Sequence, residues 1–166
     1  SASSFSIDFE WRGTSLVGTG IDVPIISTAD FLLSCEQISS SSYGVRLNLQ
    51  DGSNVMTIPV ERYELQRDTW YNITIVWFSP ENTLFLYIDR VNSFSETLTT
   101  FGTYTARPFT FGKNLSNNAT GGGYEFKWIR FHQSPLSAKQ VADLSPPLTL
   151  DNDGFRTAVI YTGSEN

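Results

Sequence analysis

Hydrophobicity alternates residue by residue through most of this chain, and a period of two restricts it to strands buried on one face. In "SFSIDFEWR" Phe5, Ile7, Phe9 and Trp11 point one way, and Ser6, Asp8, Glu10 and Arg12 the other. "WYNITIVWF" repeats the arrangement: Tyr71, Ile73, Ile75 and Trp77 oppose Asn72, Thr74, Val76 and Phe78. "NTLFLYIDR" sets Leu84, Leu86 and Ile88 against Phe85, Tyr87 and Asp89, with "SPEN" (Ser79 to Asn82) as the turn between the two runs. Other strand candidates are "IDVPIIST", "FLLSCEQ", "YGVRLNL", "SNVMTIPV", "RPFTFG", "YEFKWIRFH" and "FRTAVIYTG". Pro24 cannot donate to a ladder, which places its strand at an edge or a bulge. Asp51-Gly52 marks a hairpin loop.

One stretch predicts a helix. In "SPLSAKQVADLSPP" Ser137 is an N-cap and Gln140, three residues on, completes a capping box. Pro146 and Pro147 stop the helix, confining it to about 137–144. Many short strands separated by turns, with one short helix, define an all-β sandwich.

The 166 residues are most simply one domain, 1–166, with 145–166 a linker or a strand that closes the sandwich. Hydrophobic residues make up 40% of the chain, enough for a core without disulfide staples. The net charge of −6 excludes nucleic acid and anionic membrane as principal partners. No apolar run is long enough to insert into a bilayer. The single cysteine, Cys35, excludes an internal disulfide and reads as a small buried side chain. The limits "SASS" and "TGSEN" read as those of a module within a larger multidomain protein. Three N-glycosylation triplets, at Asn72, Asn114 and Asn118, together with abundant Ser and Thr, favour an extracellular or surface-exposed setting, whether secreted, cell-surface or viral-surface.

The order of these pieces resembles the laminin G-like domains of the concanavalin A-like lectin/glucanase superfamily. "DTWYNITIVWFSPENTLFLYIDR" is similar to their central hairpin, in which a Trp opens one strand and the returning strand ends in "YVDG". Here Trp70 opens, and "YIDR" carries Arg90 where Gly is usual. Phe111-Gly112 resembles a later strand end. "GYEFKWIRFHQSPLSAKQVADL" resembles the closing strand and helix, through Ile129, Arg130, Phe131, Leu136, Ser137 and Leu144. The resemblance spans about residues 4 to 144 and implies a jelly-roll β-sandwich of two antiparallel sheets. It also implies roles in glycan binding, protein binding and adhesion.

One branch of that superfamily hydrolyses glycosides with Glu-x-Asp-x-Glu on a strand. Retaining hydrolysis needs two carboxyls about 5 Å apart, one of them a nucleophile. The matching row here is Ser6, Asp8 and Glu10, which lacks the first carboxylate, and a serine cannot replace it without a base. These residues read instead as solvated groups on the outer face of a terminal strand, and His132 as a surface side chain. No catalytic residue is assigned, and glycoside hydrolase stays a distant alternative.

The resemblance implies a possible Ca²⁺ at a loop rim, for which Asp22, Asp30, Asp51 and Asp89 are candidate ligands; they show no metal-binding spacing. A glycan site needs an aromatic platform near loops, and Tyr43, Tyr63, Tyr104 and Tyr124 are the candidates. The expectation is a non-catalytic recognition or adhesion module for glycan or extracellular protein. The alternative is an accessory domain that packs within a larger surface protein.

Overall fold

A computed structural model describes residues 4–15, 23–28, 31–39, 44–57, 64–99, 109–112 and 123–146. Within them the chain forms β1 (Phe5–Ser15), β2 (Val23–Ser27), β3 (Phe31–Gln37), β4 (Gly44–Asp51), β5 (Asn54–Thr57) and β6 (Leu65–Gln66). Then follow β7 (Tyr71–Phe78), a 3₁₀ turn at Ser79–Glu81, β8 (Thr83–Ile88), β9 (Val91–Thr97), β10 (Thr110–Phe111), β11 (Gly123–His132) and a helix, α1 (Ala138–Ala142). "FRTAVIYTG" lies outside the described residues.

The strands pair antiparallel into two sheets. One runs β11-β1-β7-β8-β9; the other runs β10-β2-β3-β4-β5, with β6 also on β4. The period-two faces meet between them. Phe9, Trp11, Ile73, Trp77, Leu84 and Leu86 from the first sheet pack with Ile25, Phe31, Leu33, Cys35, Leu47 and Leu49 from the second, all essentially inaccessible to solvent. Register places like against like, with Ile7 opposite Ile75 and Phe131, and Phe9 opposite Ile73 and Ile129. Each such side chain contributes roughly 1.5–3 kcal/mol by leaving water. Phe111 on β10 meets Phe9 and Phe126 edge-on, with ring centroids 5.7 and 5.6 Å away.

The turn signals hold. Gly52 sits at φ 60° between β4 and β5. Pro24 lies at a register shift in the β2–β3 ladder, a bulge as its missing donor demands. Asp89 and Arg90 join β8 to β9 with φ of 48° and 70°, the pair of left-handed residues that a two-residue hairpin turn needs. Ser137 caps α1 through a capping box with Gln140.

β1 lies inside its sheet, between β11 and β7. One expectation about it fails: its outward face is not solvated, since Ser6 and Asp8 have no exposed surface. Residues 134–145 return across that face. The Ser6 hydroxyl donates to the Ser134 carbonyl (3.1 Å) and accepts from the Leu136 amide (2.8 Å). Beside them a second, smaller core joins Val76 and Tyr87 of the sheet to Val141, flanked by Phe85, Leu136 and Leu144.

Candidate functional site

Among the described residues, the outward face of the five-stranded sheet carries a dense group of ion-paired side chains. Its geometry begins with a bulge. Phe9 pairs with Ile129 and Trp11 with Phe126, so β11 has one residue more than β1 over this interval. Glu10 therefore faces both Lys127 and Trp128. Bulges re-aim side chains in this way. Both residues reach outward partners: the Lys127 ammonium lies 2.7 Å from Glu10 Oε2, and Trp128 lies 5.4 Å beneath the Arg130 guanidinium.

The pairing follows from charge patterning. Outward charges on β1 read Asp8, Glu10, Arg12; those on β11 read Arg130, Lys127, Glu125. Antiparallel pairing matches each with its opposite, in the ion pairs Asp8–Arg130, Glu10–Lys127 and Arg12–Glu125. Trp70 sits at the open end of this ladder. Its position is set by Asp68, whose amide donates to the Gly13 carbonyl at 2.8 Å, and by Tyr71, which pairs with Trp11. The half-buried indole has the Lys127 ammonium 4.5 Å and the Arg12 guanidinium 4.8 Å from its ring centroid. Cations at that range are attracted by the π quadrupole, by about 0.5–1 kcal/mol where solvent reaches them.

At the closed end Asp8 is the hub. Its Oδ1 accepts from Arg130 Nε (2.9 Å) and lies 2.6 Å from His132 Nε2; its Oδ2 accepts from Arg130 Nη2 (2.7 Å). Burial raises the carboxyl pKa, but the hydrogen bonds and charges of His132 and Arg130 outweigh it and hold Asp8 below the usual aspartate value. Arg130 also donates to the Ser145 carbonyl at 3.1 Å, which ties the returning segment to the sheet. His132 is thus engaged with Asp8, its side chain one-fifth exposed, where a surface residue had been expected.

The row Ser6, Asp8, Glu10 is fully committed. Ser6 holds the returning segment, Asp8 holds Arg130 and His132, and Glu10 holds Lys127. The arrangement offers a flat indole ringed by donors and acceptors of both signs, which suits recognition of a polar ligand with apolar patches.

Of the tyrosines, Tyr43, Tyr63 and Tyr104 lie outside the described residues. Tyr124 is half-buried, donates to the Gly112 carbonyl at 2.9 Å and packs against Phe126. Of the aspartates, Asp22 and Asp30 lie outside them. Asp51 is buried and accepts from the Thr99 amide at 2.8 Å; Asp89 is exposed and accepts from the Asn72 amide at 2.9 Å. Asp51 and Asp89 are not brought together: among the described residues no group of three or more His, Cys, Asp or Glu is placed to hold a metal ion. Asn72 lies in β7 with 9% of its surface exposed, and Asn114 and Asn118 fall outside the described residues. Sequence reasoning missed Trp70 and Lys127 as site residues. The available signal was the mirrored charge order of "IDFEWR" and "EFKWIR".

Two packed antiparallel sheets with this strand order decide the architecture. The chain is a jelly-roll β-sandwich. Solved structures share it at low sequence identity. A Bacteroides ovatus protein with an inferred carbohydrate-binding role matches at a TM-score of 0.61 and 14% identity, over 84% of this chain and 40% of that one. A heptameric SAP-like pentraxin from Limulus polyphemus matches at 0.53 and 15%, over 93% and 73%. Domain 4 of AbnA, an extracellular GH43 arabinanase from Geobacillus stearothermophilus solved with arabinotriose, matches at 0.53 and 17%, over 86% and 67%. The chain thus spans less than half of the Bacteroides protein. No model of a known protein family matches the chain, and no curated protein sequence matches it.

Proposed function

We propose that this chain is a non-catalytic, laminin G-like recognition module that binds glycan through the Trp70 end of the charged ladder. The observation that carries the reading is the half-buried Trp70 indole set among Arg12, Lys127, Glu10 and Glu125. Sugars present C–H faces that stack on aromatic rings and hydroxyls that bond to paired charges on either side. The bound arabinotriose in a domain of the same fold, and the carbohydrate-binding role inferred for another, support this choice. The acidic composition and the triplets at Asn114 and Asn118 support an extracellular or surface setting within a larger protein, with no nucleic-acid partner. The laminin G-like order of Trp70, the "YIDR" turn, Phe111-Gly112 and the Ser137 cap supports the subclass.

A glycan array probed with the purified domain, followed by tryptophan-fluorescence titration of the best ligand, tests the reading. Trp70→Ala should weaken binding at least tenfold, about 1.4 kcal/mol, with the melting temperature preserved. Binding unaffected by the substitution removes the site, and silence across the array removes the function.

A second reading rests on edges. Val91 on β9 and Val55 on β5 are 62% and 63% exposed, and apolar edge positions suit a domain that packs against others in one surface protein. An array-silent domain that binds its neighbouring domains, and loses that binding in Val91→Lys, would establish it.

A further inference from the structure

A cavity of about 360 Å³ opens on the same sheet face beyond the Asp8 cluster, between the β7–β8 hairpin and residues 135–138. It lies apart from Trp70 and shares no residue with the charged ladder. Its chemistry comes mainly from one hairpin. Phe78 ends β7, Phe85 and Tyr87 are alternate residues on β8, and Glu81 lies in the 3₁₀ turn that connects them. Val76 pairs with Phe85 and Thr74 with Tyr87, which turns both aromatic side chains to the outward face. Pro135 and Leu136 form the opposite wall.

Three properties narrow the occupant. Phe78, Phe85 and Tyr87 line the cavity, and aromatic rings attract cations most strongly where water is thinned out. Glu81 is the one carboxylate of the lining; no Lys, Arg or His joins it. Its side chain is exposed and has no ion pair among the described residues. Tyr87 is only 5% exposed, yet its hydroxyl has no hydrogen-bond partner among the described residues. The Tyr87 oxygen is not one of the fully buried unpartnered atoms, so it stays open to a ligand or to water. Ser137, the other hydroxyl of the lining, is engaged by the Gln140 amide. So few polar groups cannot satisfy the many hydroxyls of a sugar. They suit a cation whose charge is spread over methyl or methylene groups and which carries a single polar substituent.

We propose that this cavity binds a small organic cation of the methylated or quaternary ammonium class. Phe78, Phe85 and Tyr87 form its cage, Glu81 supplies the counter-charge, and the Tyr87 hydroxyl meets the polar substituent. The site is independent of the glycan reading.

Choline is the probe, and its uncharged carbon isostere, dimethylbutanol, the control. Titration calorimetry with NMR shift mapping should show choline binding at least tenfold tighter than the alcohol, with shifts at Phe78, Phe85 and Tyr87. Glu81→Gln, at an exposed position that leaves the fold intact, should weaken choline about tenfold and leave the alcohol unchanged. Phe85→Ala should weaken both, and its melting curve reports separately on folding. Trp70→Ala should leave choline binding as it was. Equal affinity for choline and the alcohol overturns the cation assignment, and no shift at these aromatic residues with either compound overturns the site.

Discussion

Arg90 shows how much one residue can carry. Glycine is the ordinary occupant of such a left-handed turn position, and the structure shows what its replacement costs: Arg90 has φ of 70°, where a Cβ is strained. The preceding Asp89 shares the strain at 48° but uses its carboxylate to accept the Asn72 amide. We therefore expect Arg90→Gly to raise stability by about 1 kcal/mol, read by urea unfolding, with binding untouched. Gly112 is the opposite case. At φ 68° it is packed so closely by the Tyr124 ring that any Cβ would overlap the phenol. Tyr124 was a candidate platform because it lies near loops, yet its ring and hydroxyl complete this turn. Proximity to a loop in sequence does not separate the two uses.

At the scale of elements, the strands and the helix were legible because their physics is local. Alternation in "SFSIDFEW" and "WYNITIVWF" needs only the pleat, and the Ser137–Gln140 box needs only one turn of helix. The short α1 depends on that cap. Ser137→Ala should cost about 1 kcal/mol, and it should loosen Leu136 and Val141 from Tyr87, detectable as faster amide exchange at 136–142. The bulge opposite Glu10 was illegible. It depends on how β11 registers against β1, a pairing between segments more than a hundred residues apart, and it decides that Lys127 and Trp128 both reach outward partners. The aromatic cage was half visible: Phe85 and Tyr87 were assigned correctly to one face, but the wall that encloses them comes from 135–138.

For the whole molecule, Asp8 is where β1, β11 and the returning segment are held together. Asp8→Asn leaves Arg130 and His132 without their shared anion, and should cost about 3 kcal/mol at neutral pH. The pH dependence has a definite sign. The folded carboxyl titrates below the unfolded one, so its stabilisation is complete above about pH 4 and is lost as pH falls through the folded value. Denaturant unfolding should therefore show wild type and Asp8→Asn converging as the pH is lowered from about 4 through the value of the folded carboxyl. A gap that stays constant over that range would assign the loss to packing instead of charge.

The position of β1 between β7 and β11 also sets an order of events in time. On a ribosome, Phe5, Ile7, Phe9 and Trp11 emerge ahead of both strands that flank β1, and one of those two neighbours emerges more than a hundred residues later. Until then the strand has an open edge and an uncovered apolar face. Long-range pairing of this kind slows folding to milliseconds or seconds. Yield should then depend on how well the nascent chain is shielded from other copies of itself. A dilute refolding reaction should recover far more native protein than a concentrated one.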